Sequence, residues 1–315
     1  MSEQDSDARW ERAALEKLAG AALTEQRRAR RWGIFFKFLT FGYLLLLLFL
    51  AMGWLGRGDA IRPEKHTALV ELNGVIAPDT QASSDNIVAG LKAAFEDKRT
   101  SGVILRINSP GGSPVQAGNI NSEIRRLRAA HPDVPLYAVV EDVCASGGYY
   151  VAVAADRIFV DEASIVGSIG VLLNGFGFTE TLDRLGVERR LLTAGENKGF
   201  LDPFSPLEPR HKRHAQQMLD EIHRQFVARV RDGRGQRLKE TPELFSGLMW
   251  TGSQSVDLGL ADAVGSTQFV AREIIKAEEI VNFTRRENLA ERIARRLGTA
   301  FGETLLRAGG LESLR

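Results

Sequence analysis

Apolar and polar positions along the chain fall into two regimes. Residues 33–56 read GIFFKFLTFGYLLLLLFLAMGWLG, an apolar run whose one charge is Lys37. About 20 apolar residues span a bilayer, so the run predicts a membrane helix. From residue 67 onward, short apolar runs alternate with amphipathic stretches. TALVEL (67–72), GVILRIN (102–108), PLYAVVE (135–141) and RIFV (157–160) predict strands. NIVAGLKAAFED (86–97) and AGNINSEIRRLRAA (117–130) have helical spacing, and GGYYVAVAAD (147–156) reads as a buried helix. ERRLLTAG (188–195) reads as a further strand, and residues 209–231 as a long basic amphipathic helix. SQSVDLGLADAVG (253–265) predicts a short helix and a strand, and TQFVAREIIKAEE (267–279) a last helix. Strands alternating with helices predict an α/β fold with parallel pairing and βαβ units.

Charge gives the apolar run a direction. Arg27, Arg28, Arg30 and Arg31 precede it, whereas only Arg57 stands between it and Asp59. The positive-inside rule puts the N-terminus in the cytoplasm and the chain after residue 57 outside. Trp32 and Trp54 sit at the two ends, as interfacial aromatics do. The long charged lead, the length of the run and the lack of an A-x-A site favour an uncleaved anchor over a signal peptide. The chain then divides into a helical cytoplasmic segment (1–31), an anchor (32–56), a linker (57–66), a catalytic domain (67–280) and an arginine-rich tail (281–315). The net charge of +1 over 315 residues carries no nucleic-acid signature. The single cysteine, Cys144, excludes an intramolecular disulfide.

In open α/β sheets, ligands gather at the carboxyl ends of strands. Two glycine-rich turns fall there. NSPGGS (108–113) follows GVILRIN, and consecutive glycines allow a backbone that offers N–H groups to an oxyanion. DVCASGGYY (142–150) follows PLYAVVE and holds two nucleophile candidates, Cys144 and Ser146. Ser146 stands at the start of the helix, where serine also serves as a plain N-cap. Cys144 has apolar neighbours, which raise a thiol pKa, and a lone free cysteine is most often a small buried hydrophobe. The five histidines, His66, His131, His211, His214 and His223, avoid the ends of the predicted buried strands, so a Ser-His-Asp triad has little support. No metal-ligand spacing is present. A lysine replaces histidine as base only if it is neutral, which burial away from anions favours. Lys198, in TAGENKGFLDPF (193–204), is the candidate, with Phe200, Leu201 and Phe204 able to shield it. Pattern alone does not select it over any surface lysine.

Taken in order, NSPGG, ASGGYYVAVAADRIFV, GSIGV (167–171) and TAGENKGFLDPF resemble the signal peptide peptidase A family, in its short single-repeat bacterial form. These are Ser-Lys membrane proteases of the larger Clp protease and crotonase superfamily. The resemblance covers residues 67–280 and implies repeated ββα units behind one transmembrane helix. It implies Ser146 as nucleophile and Lys198 as general base. It implies an oxyanion hole at Gly112 with the neighbouring N–H of Ser113, and Gly147 as a further donor. GSIGV is expected in the wall of the substrate groove, with Ser168 orienting the lysine. No cofactor is expected. The implied substrates are cleaved signal peptides and other unfolded apolar peptides, cut outside the cytoplasm of a bacterial inner membrane by a ring-like homo-oligomer. The rivals are a regulatory protease cutting specific membrane proteins, a crotonase-like acyl-CoA enzyme with catalytic glutamates, and a membrane scaffold with a degenerate site.

Overall fold

A computed structural model of the chain describes residues 3–51 and 65–285; within the N-terminal helix, side chains are described for residues 25–49. Trp54, nearly all of the linker and the tail beyond residue 285 lie outside the described residues. The chain divides into two units, Met1–Ile61 with Glu287–Arg315, and Arg62–Arg286.

In the first unit a single helix, α1 (Glu3–Ala51), runs through both the charged lead and the apolar run. The sequence reading separated the two at residue 31. The helix continues because nothing there breaks it: there is no proline, and Gly33 alone costs only about 1 kcal/mol. Its segment Glu25–Phe49 is long and apolar enough to cross a membrane.

The second unit is built on an eight-stranded sheet with the backbone order β6-β5-β3-β2-β1-β8; β4 pairs with β3, and β7 with β4. The elements in chain order are β1 (His66–Asn73), α2 (Ser84–Glu96), β2 (Thr100–Ser109), α3 (Pro114–Ala130), β3 (Leu136–Ala145), α4 (Gly147–Ala152), β4 (Arg157–Val160) and β5 (Ile165–Gly167). They continue with α5 (Thr179–Arg184), α6 (Pro209–Arg234), β6 (Met249–Thr251), α7 (Gly252–Asp257), β7 (Ala263–Val264), α8 (Thr267–Phe269) and β8 (Ile280–Asn282). All pairs are parallel except β5–β6.

The continuous apolar runs of the first three strands exist because both sheet faces are covered. Alternate residues Ala68, Val70 and Leu72, Val103, Leu105 and Ile107, and Leu136, Ala138 and Val140 face the main core with the apolar sides of α2, α3 and α4. Leu69, Ile104, Val139 and Phe159 face the other way, under Val270 and Ala271 of the π-helical turn that continues α8. Each Val, Leu, Ile or Phe side chain among them, fully buried, contributes about 1.5–3 kcal/mol.

Two departures from the sequence reading bear on the site. β3 runs four residues past Glu141, because it changes partner: Tyr137–Val139 pair with β4, and Val143–Ala145 pair with β5. The strand expected at 188–195 does not form. No residue from 170 to 210 is buried, so that stretch has no sheet edge to join and no core to pack against.

Candidate functional site

Ser146 leaves the end of β3 and begins α4 with φ 51° and ψ −121°. A non-glycine residue at positive φ costs about 1–3 kcal/mol and persists only where its surroundings impose it. Here the Ser146 N–H donates to Gly167 O at 2.8 Å, and the Ser146 carbonyl accepts from Tyr150 N–H at 2.9 Å. The hydroxyl makes no capping bond to the helix. A cap serine spends its oxygen on the first turn, so this one is not structural in that sense.

Ser168 mirrors Ser146. Ala145 pairs with Gly167 across β3 and β5, and each serine follows its strand end with φ 51°. The Ser168 N–H donates to Leu248 O at 2.8 Å. Both serines line one cavity of about 580 Å³.

The glycine turn closes on Ser146 from β2. Gly111 has φ 100° and Gly112 φ 148°, and a Cβ added at Gly111 would stand 2.7 Å from Gly147 N and 2.8 Å from Ser146 Cβ. A Cβ added at Gly147 would stand 3.2 Å from Gly112 N. Only glycine permits this approach. Gly147 is the first residue of α4, whose N–H has no intrahelical partner. In the bridge between Ile76 and Gly112, Ile76 N–H donates to Gly111 O and Ser113 N–H donates to Ile76 O, both at 2.8 Å. That pattern leaves the Gly112 N–H pointing away from Ile76. Gly112 and Gly147 therefore present two open amides beside Ser146. The Ser113 amide is committed elsewhere, and its hydroxyl caps α3 by accepting from Gln116 N–H at 3.4 Å, with Pro114 at the first helical position. Ser113 is thus an N-cap before a proline, not an open donor.

The rest of the cavity is mainly apolar, with Ser246 as its further serine. Ala117, Tyr150, Leu172, Ile222 and Phe226 line it, and so do Gly170 and Val171 of the GSIGV segment. Among the described residues no carboxylate lines it. Tyr150, Ile222 and Phe226 were not foreseen as site residues; the period of α6 identified its apolar face but not what that face lines.

Cys144 is fully buried in the core, and burial alone pushes its thiol well up from the ordinary range. The thiolate that would attack is therefore scarce and out of reach. Lys198 lies elsewhere. It is exposed in a turn whose Lys198 N–H donates to Gly195 O at 3.0 Å, and it does not line the cavity. Phe200 packs its edge on the His211 and His214 rings, Phe204 stacks on Phe178, and Lys198 itself is exposed. Among the described residues no group of His, Cys, Asp and Glu could hold a metal ion.

A Ser at a strained strand-to-helix turn, two open amides beside it and an apolar cavity in front form the equipment for acyl transfer. Comparison with known proteins agrees in kind. A family model described as Peptidase family S49 matches residues 128–281. A Synechocystis sp. protein whose name makes it a candidate protease is 30% identical over 204 residues, 65% of this chain and 71% of that one. Protease 4 of Haemophilus influenzae is 30% identical over 219 residues, 68% of this chain and 35% of its own. A protein of Brucella melitensis named as the Na(+)/H(+) antiporter NhaA is 48% identical over 175 residues, which are 56% of this chain. The matched part amounts to only 24% of that longer protein's length.

Proposed function

This chain belongs to peptidase family S49, and from that premise we propose that it is a membrane-anchored serine endopeptidase in which Ser146 attacks the peptide carbonyl. The observation that carries the reading is the uncapped, strained Ser146 with the Gly112 and Gly147 amides beside it. Lys198 is the general base. It takes the Ser146 hydroxyl proton as the Oγ–C bond forms, and the carbonyl electrons move onto the oxygen held by the two amides. Collapse expels the amine, which leaves with a proton from Lys198. Water, deprotonated by the same lysine, then releases the acyl group.

In a single copy Lys198 stands outside the cavity, on a stretch that turns Leu172, Phe176, Leu185 and Leu192 to solvent, the last 96% exposed. A missing base and an uncovered apolar arm are both accounted for if the arm docks on a neighbouring copy and carries Lys198 to that copy's Ser146. Ser168, beside Ser146 at the cavity wall, orients the arriving amine. Such a head-to-tail contact builds a closed ring when its rotation closes on itself.

The substrates are extended apolar peptides, cleaved signal peptides among them. The apolar cavity supports this, as does the 30% identity to an Enterococcus faecium protein named as a candidate signal peptide peptidase. The apolar part of segment Glu25–Phe49 of α1 anchors the chain, with Arg27, Arg28, Arg30 and Arg31 at the start of that segment on the cytoplasmic side. The test is hydrolysis of an apolar fluorogenic peptide by the full chain in detergent. Ser146→Ala and Lys198→Ala are expected to abolish turnover and Cys144→Ala to retain it. Turnover surviving Ser146→Ala would overturn the reading.

A further inference from the structure

The NSPGGS turn contains one buried hydroxyl that the mechanism above leaves unused. Ser109 ends β2 and is fully buried. Its hydroxyl donates to Gly74 O at 2.6 Å and accepts from Gly111 N–H at 3.1 Å. A Cβ added at Gly148 would stand 3.0 Å from Ser109 O and 3.3 Å from Ser109 Cβ. Ser109 thus touches three segments at once: the turn after β1, the glycine turn, and the first turn of α4.

Those three segments set the geometry of the two open amides. Gly74 leads into Ile76, which holds the glycine turn by accepting from Ser113 N–H and donating to Gly111 O. Gly111 lies against Gly147 and Ser146. A hydroxyl with one proton and one acceptor site in use is the smallest group that bonds both turns. Alanine offers neither bond and leaves the Gly74 carbonyl and the buried Gly111 N–H without this partner. The glycine turn then keeps its bonds to Ile76 but loses the one that ties the Gly111 amide to the end of β2.

We infer that Ser109 is a positioning residue for the oxyanion-binding turn. It never meets substrate and acts by fixing the Gly111–Gly112 peptide against the start of α4. The inference rests on the reading of Ser146 as nucleophile. Since the amides stabilise charge that develops only in the transition state, loosening them lowers kcat and leaves KM in place.

The test compares full-length parent, Ser109→Ala, Ser109→Cys, Ser255→Ala and Ser146→Ala in detergent, by peptide kinetics and thermal unfolding. Ser255 is the matched control: it is also fully buried and its hydroxyl donates to Gly252 O at 2.7 Å, but it stands in α7 and does not line the cavity. Ser109→Ala is expected to lower kcat at least about tenfold with KM within about twofold, as befits a disturbed oxyanion donor. Ser109→Cys, which keeps a weak donor and acceptor, is expected to fall between parent and alanine. It also serves if the alanine variant does not fold. Ser255→Ala is expected to lose stability and keep kcat. Equal kcat in the Ser109 and parent proteins, or a kcat loss in Ser255→Ala as large as in Ser109→Ala, overturns the inference. Activity surviving Ser146→Ala instead overturns the functional reading beneath it.

Discussion

Replacing Gly111 by alanine tests whether the contact between the two glycine turns makes the site. Its φ of 100° lies where an L-residue is strained, at a cost of about 1–3 kcal/mol. The new methyl would also meet Gly147 N at 2.7 Å, Ser146 Cβ at 2.8 Å and Ala145 O at 2.9 Å. Ordinary carbon contacts are about 3.5–4.0 Å, so the turns must part by roughly 0.7–1 Å. None of the three atoms is the tip of a flexible side chain, so the backbone itself must move. A misplacement of about 1 Å in a catalytic array costs about 100-fold, and loss of one oxyanion donor costs about 10²–10³ in kcat. Gly111→Ala is therefore expected to fold, with about 2 kcal/mol less stability, and to turn over apolar peptide about 100-fold more slowly. Gly118→Ala is the control: it lies within α3, has open space around its Cβ position, and should gain about 0.5–1 kcal/mol with kcat unchanged. Peptide kinetics and denaturant unfolding on the same preparations decide it. A folded Gly111→Ala protein with kcat within about threefold of parent refutes the reasoning.

Three other perturbations separate the parts of the account. If Lys198 acts across copies, inactive Ser146→Ala and Lys198→Ala chains co-assembled in equal amounts should regain about a quarter of parent activity, since a working site draws one intact residue from each of two neighbours; no recovery on co-expression argues that the lysine acts within its own chain. Asp97 is held at a pKa of about 2, against an ordinary 3.8, by its side-chain hydrogen bond from Arg99, with burial opposing. A lowered folded-state value stabilises above the ordinary pKa and is lost as pH falls, so the stability gap between parent and Asp97→Asn, read by urea unfolding, should be full at pH 5 and close between about pH 4 and 2. Tyr149 is fully buried and its hydroxyl donates to Leu260 O at 2.8 Å, so Tyr149→Phe should cost about 1–2 kcal/mol by the same unfolding assay and leave peptide turnover unchanged.

The sheet was legible because its first strands are buried on both faces. TALVEL and GVILRIN carry apolar side chains on successive positions, a pattern that admits few other readings. The short strands β5, β6 and β8 have only three residues each and take partners from far along the chain, so no local pattern marks them. ERRLLTAG has the composition of a strand but lies in a stretch with no buried residue and no strand to pair with, and composition alone carries no information about that. At the site, backbone requirements raised the glycines of NSPGGS and the serine of ASGG only as candidates beside plain-turn and N-cap readings, and the family resemblance gave them roles. The choice of amide was not readable, because it depends on Ser113 donating to Ile76, 37 positions earlier. Ser-Pro at 113–114 was nonetheless a local sign of an N-cap. Burial decided Cys144 once β3 was seen to continue through it.

The central claim is that Ser146 is the nucleophile. The most direct measurement is mass spectrometry of the full chain after reaction with a fluorophosphonate, which phosphonylates activated serines by displacing fluoride. The account predicts one adduct, on the peptide containing Ser146, abolished by Ser146→Ala and slowed by Gly111→Ala. An adduct on another residue, or labelling that persists in Ser146→Ala, contradicts it.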